Sequence, residues 1–390
     1  MPTREKQTAD TGKNPAGAAG TNPVTTPKPV PLPPIKPLRD YLNAAYALEG
    51  GTIEPNSTDA KKFAVSIIAI DSTGDHYAGV NDELMCYSGS LVKVAALYAA
   101  HDLRAQARMH AATQIFADLS AFRTSLAAVV NPTGAVPQLR SMTVGLQPNL
   151  NTILGGFRPS SANKVEFLPA YVAQLNNVFH NAGARGIIRP LGYSFINVSL
   201  MRSGFYDPTT RSGIWLAGDY SGDLPAAQRL AVSRVPVVND NVPGGGAQAI
   251  TTKQMSRMFR LMHSKTGFAH ITDATERDAA NQDMHDILTS GDSFSPSPYP
   301  SPGKFSRHCG KVGIGNLGPV DTPGPSVFSE GSVVQWTTPP TLVGAFNTAH
   351  SRNLSGHFVL VWQNLFGQGT SWDAMVRLVT SAMENFLKQS

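Results

Sequence analysis

The sequence predicts an α+β protein whose antiparallel five-stranded sheet is built from N- and C-terminal segments and flanked by helices. An all-helical subdomain is expected between those segments. Three observations predict this. Strand-like apolar runs occur early and late in the chain, the long middle carries helical periodicity, and strands are segregated from helices rather than alternating with them. With 390 residues, 41% hydrophobic and 15% charged, the chain can bury a large core.

Residues 1–36 are rich in Pro, Thr, Gly and Lys and close on Pro29-Val-Pro-Leu-Pro-Pro-Ile-Lys-Pro37, which reads as a disordered, partly polyproline tether. The domain is expected over 37–390, its sheet part over about 37–85 and 304–390 and its helical part over about 86–303. Periodic sequence starts at Leu38 with a helix to about Leu48. Phe63-Ala-Val-Ser-Ile-Ile-Ala-Ile70 is a strand, Asp71–Asp75 a turn, and His76–Val80 a second strand. A helix follows from Ser90 to about Ala107. Residues 108–185 read as helix with Pro/Gly interruptions, and Ser194–Arg202 as another helix. Ala217–Gly246 is loop-like. Thr251-Thr-Lys-Gln254 is a capping box opening a helix to about His263, and a further helix runs near Thr275–Leu288. A Ser/Pro-rich loop covers 290–303. Strands at about 309–314, Phe328–Trp336 and His357–Trp362 and a helix over Ser371–Leu387 complete the pattern.

Composition excludes several function classes. The formal charge is +5, but most of it lies in the first forty residues, where Arg4, Lys6, Lys13, Lys28, Lys36 and Arg39 outnumber Glu5, Asp10 and Asp40. No basic run is interleaved with aromatics, so no nucleic-acid partner is expected. No apolar stretch reaches the roughly 18 residues needed to span a bilayer, and no signal peptide is visible. The two cysteines do not make a disulfide framework and leave the compartment open.

The chemistry-bearing feature is a lone lysine in Leu91-Val92-Lys93-Val94-Ala95-Ala96-Leu97-Tyr98-Ala99-Ala100, a run otherwise apolar throughout and preceded by Ser88-Gly89-Ser90. A helix apolar on every side is buried, and lysine is seldom buried without a reason. Ser90 lies three residues earlier, so the two side chains share a helix face. A hydroxyl beside a desolvated amine at a helix N-terminus is the arrangement of an activated nucleophile. The blander reading is a snorkelling lysine. Ser161–Lys164 and Ser301–Lys304 share the spacing but lie in polar loop-like sequence.

Other motifs carry less. Gly313-Ile-Gly315-Asn-Leu-Gly318 has the dinucleotide-fingerprint spacing, but Pro319, Pro323 and Pro325 prevent the helix that motif requires. Neither G-x-S-x-G, H-E-x-x-H nor C-x-x-C is present, and the ten histidines are scattered. No metal and no cofactor are therefore expected.

Ser-x-x-Lys, then an Asn-containing motif, then a Lys-Thr-Gly-like strand is the motif set of class A β-lactamases and penicillin-binding proteins, and the chain resembles that superfamily over roughly residues 40–388. Tyr87-Ser-Gly-Ser-Leu-Val-Lys93, the helix led by Thr251-Thr252 and Lys311-Val312-Gly313 match its successive segments. Lys265–Gly267 is a literal Lys-Thr-Gly, but it follows a helix and lacks a strand context.

The resemblance implies a serine hydrolase acting on an ester or amide, such as a cell-wall peptide. Ser90 would be the acylated nucleophile and Lys93 its proton acceptor. The backbone N–H groups of Ser90 and Ile314 would form the oxyanion hole, Val312 and Gly313 would line the substrate, and Lys311 would supply positive potential. The Asn-containing motif is matched by Ser194 and Asn197, one residue longer than Ser-x-Asn. The resemblance would also suggest a periplasmic or secreted protein had a signal been removed, and it would place Cys86 and Cys309 beside the site, where a disulfide is conceivable. The partner would be a small-molecule or peptide substrate.

Two departures bear on activity. No glutamate occurs between Ala217 and Thr251, where class A enzymes hold their deacylating base. Asp219, Asp223 and Asp240 are the only carboxylates there. Val312 replaces a hydroxyl residue that helps bind substrate, so poor β-lactam hydrolysis is expected. The rival readings are a penicillin-binding-type D-Ala-D-Ala peptidase or weak β-lactamase, and a catalytically silent ligand-binding domain.

Overall fold

A computed structural model describes residues 36–53, 63–131, 136–139, 147–157, 165–239, 245–290, 304–316, 326–337, 339, 341–364 and 371–389. The tail expected over 1–36 lies outside them except for Lys36, as do Asp240 and most of the 290–303 loop.

Five strands form the main sheet: β1 (Phe63–Asp71), β2 (His76–Val80) and the late strands Phe305–Asn316, Ser326–Trp336 and Leu354–Asn364. Their order is His76–Val80, Phe63–Asp71, Leu354–Asn364, Ser326–Trp336, Phe305–Asn316, and every neighbouring pair is antiparallel. The expected sheet, made from both chain ends, is thus present.

Its two faces follow the period-2 alternation of strand side chains. Val65, Ile67 and Ala69 of β1 face a core shared with Phe358, Leu360 and Trp362, against α1 (Leu38–Ile53) and the C-terminal helix Ser371–Leu387. Ile68 and Ile70 face the opposite way, with Val359 and Val361, into a larger core filled by the helical insert. Burial on both faces explains why β1 reads as a nearly continuous apolar run.

The insert opens with β3 (Cys86–Tyr87) and a 3-10 turn at Gly89–Val92, which leads into α2 (Lys93–Thr113). Helix α2 is the central rod, buried at every residue from Lys93 to Ala105. Around it lie α3 (Leu119–Val129), α4 (Leu150–Ile153), β4 (Leu154–Gly155), β5 (Glu166–Phe167), α5 (Pro169–Asn176), α6 (Asn181–Leu191) and α7 (Tyr193–Arg202). Next come β6 (Tyr206–Asp207), β7 (Ser212–Leu216), β8 (Gln248–Ile250), α8 (Thr252–His263) and α9 (Ala274–Ser290). The late strands are then β9 (Phe305–Asn316), β10 (Ser326–Trp336) and β11 (Leu354–Asn364), with α10 (Thr341–His350) before β11 and α11 (Ser371–Leu387) after it.

The insert differs from an all-helical one. Strands β3, β8, β7 and β6 form a small sheet, and β4 pairs with β5. Strand β8 sits between Cys86–Tyr87 and Ile214–Leu216 and so fixes the segment just before the serine turn. Only half of the expected capping box forms: Thr251 Oγ1 accepts from Gln254 N at 3.3 Å, but Thr251 N donates to Gly213 O at 2.8 Å and Gln254 Oε1 has no partner among the described residues.

Candidate active site

Three glycines let the two halves of the site meet. Gly89, in the serine turn, has φ +54, and a Cβ there would sit 2.7 Å from the Ile314 carbonyl carbon. A Cβ on Gly313 would lie 2.4 Å from Ser88 O, and one on Gly315 would enter the Tyr87 ring. The fingerprint-like Gly313-Ile-Gly315 therefore serves backbone-to-backbone approach of edge strand β9 to the serine turn. Ser329 Oγ, from β10, donates to Ser88 O at 2.7 Å and ties the same junction.

Ser90 is partly exposed at one wall of a cleft of about 450 Å³, a volume typical of small-molecule sites. Tyr87, Asn181, Asp219, Tyr220, Arg234 and Ile314 are among the other lining residues.

Lys93 lies beneath, with only 1% of its surface exposed. Its Nζ donates to Phe179 O at 3.1 Å and to Asn181 Oδ1 at 2.7 Å. Burial first, and then the like charge of Lys311, pull its amine down from 10.5 to about 7. The Tyr220 ring, 4.6 Å from Nζ, favours the cation and opposes that shift. A neutral amine has two N–H bonds and one lone pair. Two acceptors take up both N–H bonds here, which leaves the lone pair as the amine's remaining function.

Lys311 is buried, and its Nζ lies 5.7 Å from the centroid of the Phe179 ring while bonding Val312 O. Phe179 thus stands between the two lysines, its carbonyl bound to one and its ring facing the other. Val312 is buried on β9 opposite Glu330. Gly313 packs on the serine turn, and Ile314 projects at the cleft wall with 57% of its surface exposed.

Ser194 and Asn197 are placed elsewhere. Both are buried in α7, and Asn197 spends its amide on backbone: Nδ2 donates to Tyr193 O and Leu216 O, while Oδ1 accepts from Leu216 N at 3.1 Å. It fastens α7 to β7. The asparagine beside Lys93 is Asn181, in Phe179-His180-Asn181, which has the Ser-x-Asn spacing with phenylalanine in place of serine. Only the spacing ahead of α6 could have pointed to it.

The 217–224 segment covers the cleft and is held by α6. Arg189 Nε pairs with Asp219 Oδ2 at 2.5 Å, and Arg185 Nη1 with Asp223 Oδ1 at 2.6 Å. Ser221 occupies the other Asp219 oxygen. Tyr220 takes φ +57, a conformation costly for a bulky residue, and its OH donates to Gly89 O at 3.1 Å. Its ring caps Lys93 and keeps water from the amine. Cys86 and Cys309 are both free and buried, so the conceivable disulfide is not formed. Burial raises both thiols, Cys309 to about 12, which makes them unreactive.

A Ser–His–Asp set lies outside this cleft. His270 bridges Asp102 (2.8 Å) and Ser203 (3.2 Å), but the Ser203 hydroxyl is engaged by Tyr98 at 2.6 Å. It staples α2 to the end of α7.

No protein-family model and no curated protein matches the chain. Among solved structures it is similar to PBP-A (11% identity, 92% of this chain and 100% of that one, TM-score 0.42). It is also similar to a β-lactamase from Chitinophaga pinensis DSM 2588 (10%, 88% and 99%, 0.46) and to the TLA-3 extended-spectrum β-lactamase (9%, 88% and 99%, 0.45).

Proposed function

We propose that the chain is a serine hydrolase that forms an acyl-enzyme at Ser90 on an ester or amide substrate. The observation that carries this reading is the buried Lys93 amine, held near pKa 7 with both N–H bonds engaged, one helical turn from a serine at the cleft wall. The Lys93 lone pair takes the Ser90 proton as Oγ attacks the substrate carbonyl carbon. Negative charge gathers on the carbonyl oxygen, stabilised by the N–H groups of Ser90 and Ile314, each such donor contributing about 3 kcal/mol. Collapse expels the alcohol or amine, which takes the proton back from Lys93. Asn181 and the Phe179 carbonyl orient the amine, and burial, with the like charge of Lys311, favours its neutral form before the attack.

Val312 and Phe179 stand where β-lactam-processing relatives would carry hydroxyls, and Asp219 and Asp223 are tied to arginines. This favours an ester or peptide substrate with slow acyl release over efficient β-lactam hydrolysis. The same two residues also favour, more weakly, a silent ligand-binding domain.

The test treats the protein and a Ser90→Ala variant with a fluorophosphonate and with a fluorescent penicillin, and locates adducts by mass spectrometry. A phosphonate adduct at Ser90 without a penicillin adduct supports the esterase reading. A stable penicillin adduct supports a penicillin-binding peptidase. Absence of any Ser90 adduct leaves the silent domain.

A further inference from the structure

Four of the ten histidines, far apart in sequence, converge on the helical side of the sheet. His263 ends α8, His285 lies on α9, His308 on β9 and His357 on β11. The rings stand 5.1 Å (His263–His308), 5.6 Å (His285–His308) and 4.8 Å (His263–His357) apart between centroids. One potential ligand nitrogen from each of His263, His285 and His308 falls in a set whose members lie within 4.8 Å of one another.

We propose that His263, His285 and His308 form a binding site for a divalent transition-metal ion of the Zn²⁺ class, with His357 beside its open fourth position. Tetrahedral Zn–N bonds of about 2.0–2.1 Å put ligand nitrogens about 3.3–3.4 Å apart. The His285 and His308 Nε2 atoms are 3.4 Å apart. That edge of the tetrahedron is already set, and the third ligand needs a side-chain adjustment of roughly an ångström.

Independent features of the fold agree. The pairing of β9 with β10 runs from Cys309↔Val333 to Arg307↔Val334 and skips His308, so His308 is the extra residue of a β-bulge. Bulges re-aim a side chain, and this one frees the His308 ring from the ladder's alternation. Asp286 Oδ1 lies 3.5 Å from His285 Nδ1 and is itself held by Gln282, an outer carboxylate that orients the ring with Nε2 toward the cluster. His263 Nδ1 is buried without a hydrogen-bond partner among the described residues. An all-imidazole set suits Zn²⁺, Co²⁺, Ni²⁺ or Cu²⁺ and is poor for Mg²⁺ or Ca²⁺.

The test uses the full chain without an affinity tag, stripped with a chelator, and titrates Zn²⁺ against a zinc-reporting dye. One Zn²⁺ per chain is expected, unaffected by millimolar Mg²⁺, and Co²⁺ should give the visible absorption of a tetrahedral site. His308→Ala and His285→Ala should each weaken Zn²⁺ binding by about 100-fold or more, since even outer-ligand losses cost about 10–100-fold. His350→Ala, outside the cluster, should leave it unchanged. His308 is exposed, so its removal spares packing, and the melting temperature of the metal-free variant checks this. Lack of stoichiometric binding, or equal binding by His308→Ala and the parent, overturns the proposal.

Discussion

Replacing Lys93 by methionine should change how stability depends on pH, and the size of the change follows from the burial of the amine. In the unfolded chain the lysine titrates near 10.5, and in the folded protein near 7. Between those values the unfolded state binds more protons, so folding stability rises with pH across that window; below pH 7 the penalty is fully present. At about 1.36 kcal/mol per pH unit, the charged amine costs the folded state about 4 kcal/mol at pH 7 and about 2 kcal/mol at pH 9. Lys93→Met removes that term. It also leaves Phe179 O and Asn181 Oδ1 without their donor, an effect that does not depend on pH. Urea denaturation of both proteins at pH 6, 7, 8 and 9 isolates the lysine and the charge coupled to it on Lys311, because titrating groups that do not feel Lys93 cancel in the difference. The parent should gain about 2 kcal/mol relative to the variant between pH 7 and 9, and almost nothing between 6 and 7. Parallel curves would refute both the depressed amine and its use as a base.

Four further outcomes are expected. Fluorophosphonate labelling of Ser90 should rise with pH through a midpoint near 7, measured as an initial rate, and should fall sharply in Asn181→Ala. Asn197→Ala should instead lose about 2–4 kcal/mol of stability by denaturant titration, from three orphaned buried hydrogen bonds, while the folded fraction labels normally. Gly89→Ala, which forces a side chain into the Ile314 backbone at positive φ, should cost about 1–3 kcal/mol and abolish labelling. If the proposed acylation chemistry holds, Phe179→Ser, which places a hydroxyl beside Lys93, should speed penicillin acylation by about 100-fold, read by stopped-flow fluorescence, with a stability loss of about 3–5 kcal/mol from the vacated ring volume.

The main sheet was legible because burial on both faces writes β1 and β11 as apolar runs that no surface segment would carry. The serine turn was legible for a related reason: Lys93 is conspicuous only because everything around it is apolar. Strands β6 to β8 escaped because they are two to five residues long and contain Gly213, Asp207 and Gln248, so no alternation develops. Asn181 escaped because its neighbours Phe179 and His180 give it no motif in the sequence, and only the fold brings it to Lys93, whereas Ser194 and Asn197 offered a closer match in sequence. The histidines were invisible as a group, since α8, α9, β9 and β11 each contribute one and no pair has a short spacing.

The sheet that joins the chain's two ends also sets a timetable. Phe63 pairs with Asn364, about 300 positions later. At about 5–20 residues per second of synthesis, β1 waits roughly 15–60 seconds for the strand that covers it. During that interval an apolar strand has only β2 as a partner, and its other edge is open to another chain. Production of this protein is therefore governed by how well that early hairpin is shielded. Loss of the last two elements by premature termination should yield aggregate rather than a smaller folded domain.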